Sequence, residues 1–415
     1  GLTVRGVRLR NRVHLRPRGV DLDVGLEARR ITKSDLGLST RDLKLGVKAD
    51  VGLRLSRLLA GALPPVGKTR LRLTHQLASA RVAQPGNHIA VGPVKTGVDV
   101  RYAPGRGGGA VTVDHTTTVA SLRHQQQGAR VRGLELSTRV GTRLPLRKLI
   151  AGRPVDLAAV TSKVGLKLQR LRLARRRATI SAGRVAVDLD VGYDPARAEA
   201  VSVALDTRVG RFRHSQHKAW ARDLGLTIRS RVAGPRLRLP DPVTVVRSAA
   251  TRLDMTVAAA SQGKLRPLRN TTLQVDTRAT GQLEGKATDK LDVELRRLSL
   301  RVPTNGLHVD VKLRARKVLP FTPKRLPPLS LDVSAGLDNP VASKRERATF
   351  IGPGTYASGA AGVELRVRSP GGNRVALETL LKAKRFHLWN KGILVEPRQP
   401  DGFKRTITYL TVKDL

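Results

Sequence analysis

The chain has 415 residues, of which 40% are hydrophobic but only 3% aromatic. Its 78 Lys and Arg residues against 32 Asp and Glu residues give a formal net charge of +46, which favours partners that carry phosphate or other anions. There is no cysteine, so disulfides, thiolate metal sites and a cysteine nucleophile are excluded. No apolar run approaches the ~18 residues of a membrane-spanning helix. Because a strand pattern begins directly after Gly1, we expect the chain to be part of a longer protein, with any anchor outside it.

Apolar and polar residues alternate along most of the sequence. The first run, Leu2–Leu9, predicts a strand with a bulge near Gly6, and the alternation continues strictly over Val20–Ala28 and Leu43–Leu55. Arg and Lys occupy many of the polar positions, as in Arg170-Leu171-Arg172-Leu173. On a strand this spacing places the apolar side chains on one face and the cations on the other.

Several segments recur with a constant offset of roughly 90 residues, which is typical of a repeat protein. Each repeat contains a strand, a polar turn, a second strand, a short Leu-rich helical turn and a Tyr-x-Pro turn. The matching pairs are Leu122–Leu136 with Phe212–Leu226, Leu55–Gly61 with Leu146–Gly152, and Val98–Pro104 with Leu189–Pro195. The predicted division is therefore a leading strand at 1–19 and repeats at 20–110, 111–200, 201–274, 275–374 and 375–415, the fourth irregular and the fifth partial.

Two segments depart from the alternation. Val246–Ala250 resembles a helix, and Ala342–Gly362, which is rich in Gly and Ala, is expected to be a long exposed loop. The prolines from Pro320 to Pro328 favour a connection over a central strand.

The sequence offers few residues for chemistry. Gly105–Gly109 lacks the Lys-Ser/Thr and the helix of a phosphate-binding loop, so we expect a hairpin loop. His214 and His217 have no neighbouring carboxylates, and we interpret them as polar turn residues and not as metal ligands.

Three aspartates, Asp99, Asp190 and Asp332, recur near the ends of strands. Paired carboxylates must converge to act as acid and base, whereas repeat-related residues should lie in a row and well apart. We therefore expect no catalytic residue, no metal and no cofactor, and a protein that is not an enzyme.

The fold class that these patterns predict is all-β: an elongated, repetitive antiparallel sheet built from repeats with short helical turns. An antiparallel sheet can bury one face and expose the other to solvent. If no second sheet covers the apolar face, it must be curled or filled by a ligand, since a bare apolar patch of that size would aggregate.

This combination resembles the AsmA-like superfamily, which includes the TamB-type proteins. The resemblance rests on long Leu/Val-rich alternating strands, on the scarcity of aromatics and on segments such as Arg132-Gly133-Leu134-Glu135-Leu136 and Arg222-Asp223-Leu224-Gly225-Leu226. It covers most of the chain as a pattern. It implies a long, curved sheet that is open along one side, with an apolar concave face that conducts lipids between membranes across the periplasm.

The alternation also assigns candidate residues to each face. Seven residues are expected to face lipid: Leu43, Leu45, Leu134, Leu136, Leu224, Leu226 and Ile228. Four are expected to contact anions such as phosphate headgroups: Arg132, Arg222, Arg229 and Arg231.

Three functions remain open from the sequence. The first is a non-enzymatic, lipid-conducting or lipid-holding β-groove of a bacterial cell envelope, in the periplasm or associated with a membrane, with phospholipid or another anionic lipid as partner. The second is a structural repeat protein with a closed core, whose basic surface binds a larger acidic assembly such as an acidic protein complex. The third is non-specific nucleic-acid binding, which predicts an affinity that falls steeply with salt. The scarcity of aromatics disfavours base stacking.

Overall fold

The chain is described by a computed structural model that is nearly all β-strand. The described residues are 1–54, 56, 67–105, 109–144, 155–156, 159–175, 178–234, 238–239, 246–263, 268–284, 287–316, 318, 327–339, 349–352, 355–372, 374–391 and 407–414. This confirms the predicted all-β class. Most strands are long because the apolar alternation continues without interruption over many residues.

The first thirteen strands are β1 (Leu2–Arg16), β2 (Gly19–Lys33), β3 (Leu38–Val51), β4 (Thr69–Leu77), β5 (Ser79–Gln84), β6 (Asn87–Val91), β7 (Val94–Ala103), β8 (Gly109–His124), β9 (Ala129–Leu144), β10 (Val155–Asp156), β11 (Val160–Arg175), β12 (Ala178–Tyr193) and β13 (Val201–His214). The remaining strands are β14 (Ala219–Ala233), β15 (Arg238–Leu239), β16 (Val246–Gln262), β17 (Leu268–Glu284), β18 (Ala287–Val302), β19 (Leu307–Ala315), β20 (Leu329–Asn339), β21 (Thr349–Gly352), β22 (Thr355–Gly371), β23 (Arg374–Lys391) and β24 (Ile407–Asp414). A 3-10 turn, Pro303–Asn305, joins β18 to β19.

The chain divides into two compact units. Unit 1 comprises Gly1–Trp220 with Arg231–Val245, and unit 2 comprises Ala221–Ser230 with Val246–Leu415. Strand β14 therefore contributes residues to both units.

In unit 1 every pairing of neighbouring strands is antiparallel. β1 pairs with β2 and β2 with β3, whose two halves pair with β4 and β5. β4 pairs with β7 and β5 with β6, and both β6 and β7 pair with β8. The order then follows the chain through β9, β11, β12 and β13, while β10 and β15 form a small separate sheet. Since neighbours in sequence are mostly neighbours in the sheet, unit 1 is a meander.

Unit 2 is also an antiparallel meander. Its strands pair in the order β16, β17, β18, β19, β20, β22, β23 and β24, and the short β21 pairs with β22. β24 pairs with the segment Lys384–Lys391 of β23, and among the described residues the preceding part of β23 has a strand neighbour on one side only. Val375 and Leu377 in that part are 52% and 68% exposed.

A row of unpaired residues crosses the sheet of unit 1. In several pairs of neighbouring strands one pair of facing residues is missing from the ladder, and the register is the same before and after this gap. The gaps lie at the same height across the sheet. The row consists of Gly6, Arg29, Asp42, Ala120, Gly133, Gln169, Arg184 and Gly210. Between Asp42 and Ala120 the sheet has breaks at the same level, where β4 gives way to β5 and β6 to β7.

Left-handed backbone at alternate strands accounts for this row. Gly6, Asp42, Gly133 and Arg184 have φ values of 66°, 51°, 61° and 54°. Such a residue interrupts the pleat, and the apolar alternation moves by one position, as from Val131 to Leu134 in β9. Gly and Asp suit this conformation and Arg does not. The bulge that the sequence predicts near Gly6 is not found, because the register of β1 with β2 is the same on both sides of Gly6; the position is instead the first member of a transverse row of missing pairs.

The predicted polar turn contains the same hydrogen bond in two copies of the repeat. In the β8–β9 turn the backbone N–H of Gln127 donates to Nδ1 of His124 at 3.2 Å. In the turn between β13 and β14 the backbone N–H of His217 donates to Nδ1 of His214 at 3.3 Å. The two histidines therefore perform the same backbone-capping role in the two copies, and the His214 and His217 rings stack with centroids 4.6 Å apart.

Few apolar side chains are buried. Among the described residues the buried ones are Ala28, Tyr193, Ala200, Ala221, Val302, Ala315 and Leu337. Four of the seven are alanines, and none is an aromatic except Tyr193. A covered sheet would bury a continuous layer of large aliphatic side chains, because packed interiors are as dense as organic crystals. Neither unit contains such a layer among its described residues.

Two expectations about local structure are wrong. Val246–Ala250 is not helical but begins β16, because its partners on β17 supply the ladder bonds that override a weak helical pattern. Much of the expected loop at Ala342–Gly362 belongs to β21 and β22. Its Gly and Ala residues have poor strand propensity, but β22 is paired on both sides, by β20 and β23.

The predicted helical turns lie almost entirely outside the described residues. Only Ser56 of the first is described, and it is helical. The prolines at Pro327 and Pro328 lie in the connection between β19 and β20, as expected. In the described part of the chain, no helix has both the length and the apolar character needed to cross a membrane.

Candidate functional site

One face of unit 1 is built from uncharged residues. Directly facing residues of antiparallel strands share a face, so the register defines rows that run across the strands. Five such rows pass through Val7, Leu9, Asn11, Val13 and Leu15 of β1 and cross β2, β3, β4, β7, β8, β9, β11, β12 and β13. In the row through Val7 the ladder has no pair between Leu43 of β3 and Leu77 of β4, and the row resumes at Leu77. None of the positions in the five rows holds Asp, Glu, Lys or Arg. We call these five rows the apolar face.

The row through Leu9 illustrates the composition. It consists of Leu9, Leu26, Leu45, His75, Thr96, Thr117, Leu136, Leu166, Val187 and Thr207. The other four rows are also dominated by Val and Leu. The two aromatic residues in the apolar face, Tyr102 and Tyr193, lie at its edge in the row through Leu15.

The apolar face is not covered by other described residues. Only Ala28 and Tyr193 among its side chains are buried, and most of the others are half-buried by their neighbours in the same sheet. Leu45 and Leu73, in the interior of the sheet, remain 39% and 38% exposed. At ~4.8 Å between strands and ~6.8 Å between rows, ten strands and five rows span about 1,600 Å². The largest apolar patch on a typical monomer is about 300–600 Å².

A small neutral polar cluster lies within the apolar face. Thr96 and Thr117 face each other, with their hydroxyl oxygens 3.1 Å apart. Nε2 of His115 lies 2.8 Å from the hydroxyl of Thr117. These groups bond to one another, so this interruption of the aliphatic surface is polar but is partly satisfied within the cluster.

The predicted lipid-facing residues of unit 1 lie together on the apolar face. Leu45 and Leu136 occupy the same row, and Leu43 and Leu134 lie in the rows next to the unpaired residues of their strands. Leu224, Leu226 and Ile228 belong to the segment of β14 assigned to unit 2, where all three are half-buried. The sequence therefore grouped the first four residues as the register does.

On the reverse of the apolar face, acids and bases of unit 1 form ion pairs across the strands. Lys48 lies 3.3 Å from Asp23, Lys163 lies 3.2 Å from Asp190, and Arg139 lies 2.5 Å from Asp114. We call this surface the mixed-charge zone. It covers the strand segments that carry the apolar face, and its acids are Asp21, Asp23, Glu27, Asp50, Asp99, Asp114, Glu135, Asp188, Asp190 and Asp206.

Asp99 is the most highly connected acid of the mixed-charge zone. It accepts hydrogen bonds from Arg70 Nε and Nη2, at 2.9 and 2.5 Å, and from Arg101 Nη2 at 2.8 Å. Arg72 lies 3.7 Å away. The bonds from Arg70 and then Arg101 hold the pKa of Asp99 well below its usual range, and the bond to Asp99 raises the pKa of Arg70.

Beyond the unpaired row, toward the polar turns, the charge pattern changes. Two rows of the strands' charged face carry arginine and small residues and no acid. In the row nearer the unpaired residues the arginines are Arg5, Arg30, Arg41, Arg132, Arg170 and Arg211. In the row nearer the turns they are Arg81, Arg123, Arg130, Arg172 and Arg213. We call these two rows the arginine band.

No acid compensates the positive charge of the arginine band among the described residues. All its arginines are exposed, and none forms an ion pair with another described residue. Arg123 faces Arg130, which in turn faces Arg172, and Arg132 faces Arg170. Like charges that face each other across strands are destabilising. At a separation of about 7 Å in water each such pair costs roughly 0.6 kcal/mol before salt screening.

The predicted anion-contacting residues have different surroundings. Arg132 belongs to the arginine band. Arg222 and Arg229 lie in the unit 2 segment of β14 and are exposed. Arg231, in unit 1, is paired with Glu199 at 3.3 Å, so its charge is partly compensated. Sequence reasoning identified only one member of the arginine band, although the absence of acids from Val119 to Leu134 and from Thr207 to Arg222 is visible in the sequence.

The recurring aspartates are separated in the sheet. Asp99 and Asp190 lie in one row, as expected of repeat-related residues, with β8, β9 and β11 between them. In the described part of the chain no group of three or more His, Cys, Asp or Glu side chains could hold a metal ion. What the arrangement offers chemically is an aliphatic surface, a charge-paired reverse and an uncompensated cationic band.

Comparison of the chain with models of known protein families, with curated proteins and with solved structures finds no match.

Proposed function

We propose that the chain is a non-enzymatic lipid-holding protein of a bacterial cell envelope, in which acyl chains cover the apolar face. The observation that carries the proposal is the exposure of that face. It comprises five rows without a charged residue over ten strands, and only Ala28 and Tyr193 are buried among its side chains. A surface of this size needs an occupant, because exposed apolar area of this extent favours association.

Acyl chains suit the apolar face better than a protein core or a rigid small molecule. Its side chains are mainly Val and Leu, with aromatics only at Tyr102 and Tyr193 on one edge, so the surface has little shape for selective recognition. Each methylene removed from water contributes about 0.8 kcal/mol. A chain of twelve methylenes laid on this face would therefore contribute as much as roughly 10 kcal/mol without any directional contact.

The neutral cluster of Thr96, Thr117 and His115 fits the same function. Its groups already bond to one another, so an acyl chain that crosses them displaces fewer hydrogen bonds to water than it would over isolated polar groups. The absence of Lys and Arg from the apolar face means that headgroups would be accommodated at its margins, with the hydrocarbon over the centre.

The test exploits two adjacent residues of β11. Leu166 lies on the apolar face, and Lys167 lies on the reverse. A photoreactive amino acid is placed at either position in chain purified from a bacterial envelope fraction and washed at high salt. We expect ultraviolet light to attach phospholipid at position 166 and not at 167, as read by mass spectrometry of the intact chain.

A second measurement gives the amount of lipid. Solvent extraction of the washed chain should yield several phospholipids per chain, and Leu136→Glu with Leu166→Glu should lower that yield, because both carboxylates would lie in one row under the acyl chains. The matched control is Glu135→Gln with Lys167→Gln on the reverse, which should leave the yield unchanged. A soluble chain that contains no lipid and shows no contrast between positions 166 and 167 would refute the proposal.

A further inference from the structure

Acyl chains on the apolar face do not account for the arginine band, which belongs to the charged face of unit 1. Its side chains belong to the charged face, whereas the alternating residues Val131 and Leu171 of the same strands are aliphatic and half-buried. In the mixed-charge zone several cations form ion pairs with acids on neighbouring strands, as Lys48 does with Asp23. The band lacks such partners, so its charge is available to a ligand.

The spacing of the band suits a layer of phosphate groups. Arg123, Arg130 and Arg172 succeed one another across three adjacent strands at about 5 Å intervals, and Arg132 and Arg170 lie about 7 Å along the same strands. A guanidinium presents a planar fork of donors that matches phosphate oxygens, and two neighbouring arginines can share one phosphate. Small residues between the arginines, such as Ser121 and Ser181, keep the surface accessible.

We infer that the arginine band docks unit 1 on an anionic phospholipid surface, with its guanidinium groups on the headgroup phosphates. The inference rests on the proposed function and extends it from holding lipid to contact with a membrane surface. The band lies at the end of the strands next to the polar turns, and aliphatic residues continue to the same end on the opposite face, up to Leu122 and Leu173. Headgroup contact and access of acyl chains would therefore occur at one end of the sheet.

A membrane surface accounts for the band better than nucleic acid does. Single-stranded nucleic acid is bound through aromatic side chains interleaved with cations, and from β1 to β13 the two rows of the band contain no aromatic residue. Phe212 lies between Arg211 and Arg213 in sequence, but alternation places its side chain on the opposite face. The band is therefore suited to recognising phosphate groups without contacting bases, and the surface of an anionic bilayer presents such groups.

The experiment is vesicle flotation with the whole chain at 150 mM salt. Vesicles of phosphatidylcholine with 30% phosphatidylglycerol are compared with pure phosphatidylcholine. The band variant replaces five arginines by glutamine: Arg123, Arg130, Arg132, Arg170 and Arg172. The matched control replaces five cations of the mixed-charge zone by glutamine: Lys44, Lys48, Arg101, Arg139 and Lys163. Both variants lose the same formal charge, and circular dichroism verifies their folding.

We expect the native chain to bind the anionic vesicles and not the neutral ones. The band variant should bind at least a hundredfold more weakly, because each cation near an anionic surface adds severalfold to the affinity. The control should change binding by less than threefold. A set of Arg→Lys variants at the five band positions keeps the charge and removes the planar fork, and it should show an intermediate loss.

Equal losses in the band variant and the control would overturn the inference, since binding would then follow net charge alone. Absence of binding to anionic vesicles would also overturn it. Tighter binding to a 20-base-pair DNA duplex, with the same dependence on the band, would assign the band to nucleic acid instead. Lipid extraction from the native chain separates the two proposals, because a native chain that contains no lipid but still floats with anionic vesicles through the band would refute only the lipid-holding face.

Discussion

Asp99 is predicted to stabilise unit 1 by neutralising three arginines on two neighbouring strands. Its side chain is only 15% exposed. Its carboxylate accepts hydrogen bonds from Arg70 and Arg101, and Arg72 lies 3.7 Å from it. Asp99→Asn keeps the size of the side chain and removes the charge. Asp114 would remain 3.8 Å from Arg101, and Asp50 faces Arg70, but the acid that the three guanidinium groups share would be lost.

The expected loss of stability is moderate. A hydrogen bond to a charged group contributes about 1.5–3 kcal/mol, and the exposure of the arginines, 45% for Arg70 and 54% for Arg101, reduces that value through solvent screening. We therefore expect Asp99→Asn to lower the free energy of unfolding by about 1 to 2 kcal/mol at pH 7 and low salt. Urea unfolding followed by circular dichroism measures the change, and high salt should shrink it.

The pH dependence provides the sharper criterion. Because the pKa of Asp99 is lower in the folded chain than in the unfolded chain, its contribution is fully present above the unfolded value of about 3.9. The contribution is lost as the pH falls below that value toward the folded pKa. The difference between native and Asp99→Asn stability should therefore decline below about pH 4. A difference that stays constant from pH 7 to pH 3 would refute the assignment to carboxylate charge.

Three further predictions concern the unpaired row and the apolar face. Arg184→Gly should raise the free energy of unfolding by roughly 0.5–1 kcal/mol in urea titrations, because Arg184 has a φ of 54° that glycine adopts without strain, and Arg184→Ala should give no such gain. Gly133→Val should lower it by about 2 kcal/mol or more, since φ is 61° and a Cβ there would lie 2.4 Å from Cδ of Gln169; equal stability of this variant would contradict the role given to the row. Thr117→Val should leave the hydroxyl of Thr96 and the ring of His115 without their partner and lower stability by about 1 kcal/mol, and removal of all three polar groups together should restore most of that loss.

The strands of unit 1 could be predicted from the sequence because nothing competes with the alternation. Residues such as Leu43, Leu45, Leu134 and Leu136 lie in long segments without Pro or helical spacing, and the register then placed them on one face. The polar turns at His124 and His214 were predictable for a different reason. Their repeated letters reflect a repeated backbone hydrogen bond, from the residue three positions later to Nδ1 of the histidine.

The predictions fail where pairing with neighbouring strands, and not the local preference of the sequence, determines the secondary structure. The Gly- and Ala-rich start of β22 has weak strand propensity, but Gly362 faces Gly336 on β20 and Lys382 on β23, so ladder bonds on both sides stabilise it. The start of β16 at Val246 is a strand for the same reason. The row of unpaired residues could not be recognised from one sequence, because Gly6, Asp42, Gly133 and Arg184 become related only through the register.

The two rows of the arginine band show that the net charge does not reveal how the charges are distributed over the sheet. A net charge of +46 is compatible with an even distribution over the whole surface. Instead, acids are concentrated in the mixed-charge zone, where Asp23, Asp99 and Asp114 pair with facing cations, and are missing between the unpaired row and the turns. Stability alone would favour the reverse arrangement, since an acid opposite Arg130 or Arg170 would convert repulsion into attraction. A sheet that keeps facing arginines at one end while neutralising the rest is better explained by an anionic ligand at that end than by a general need for positive charge.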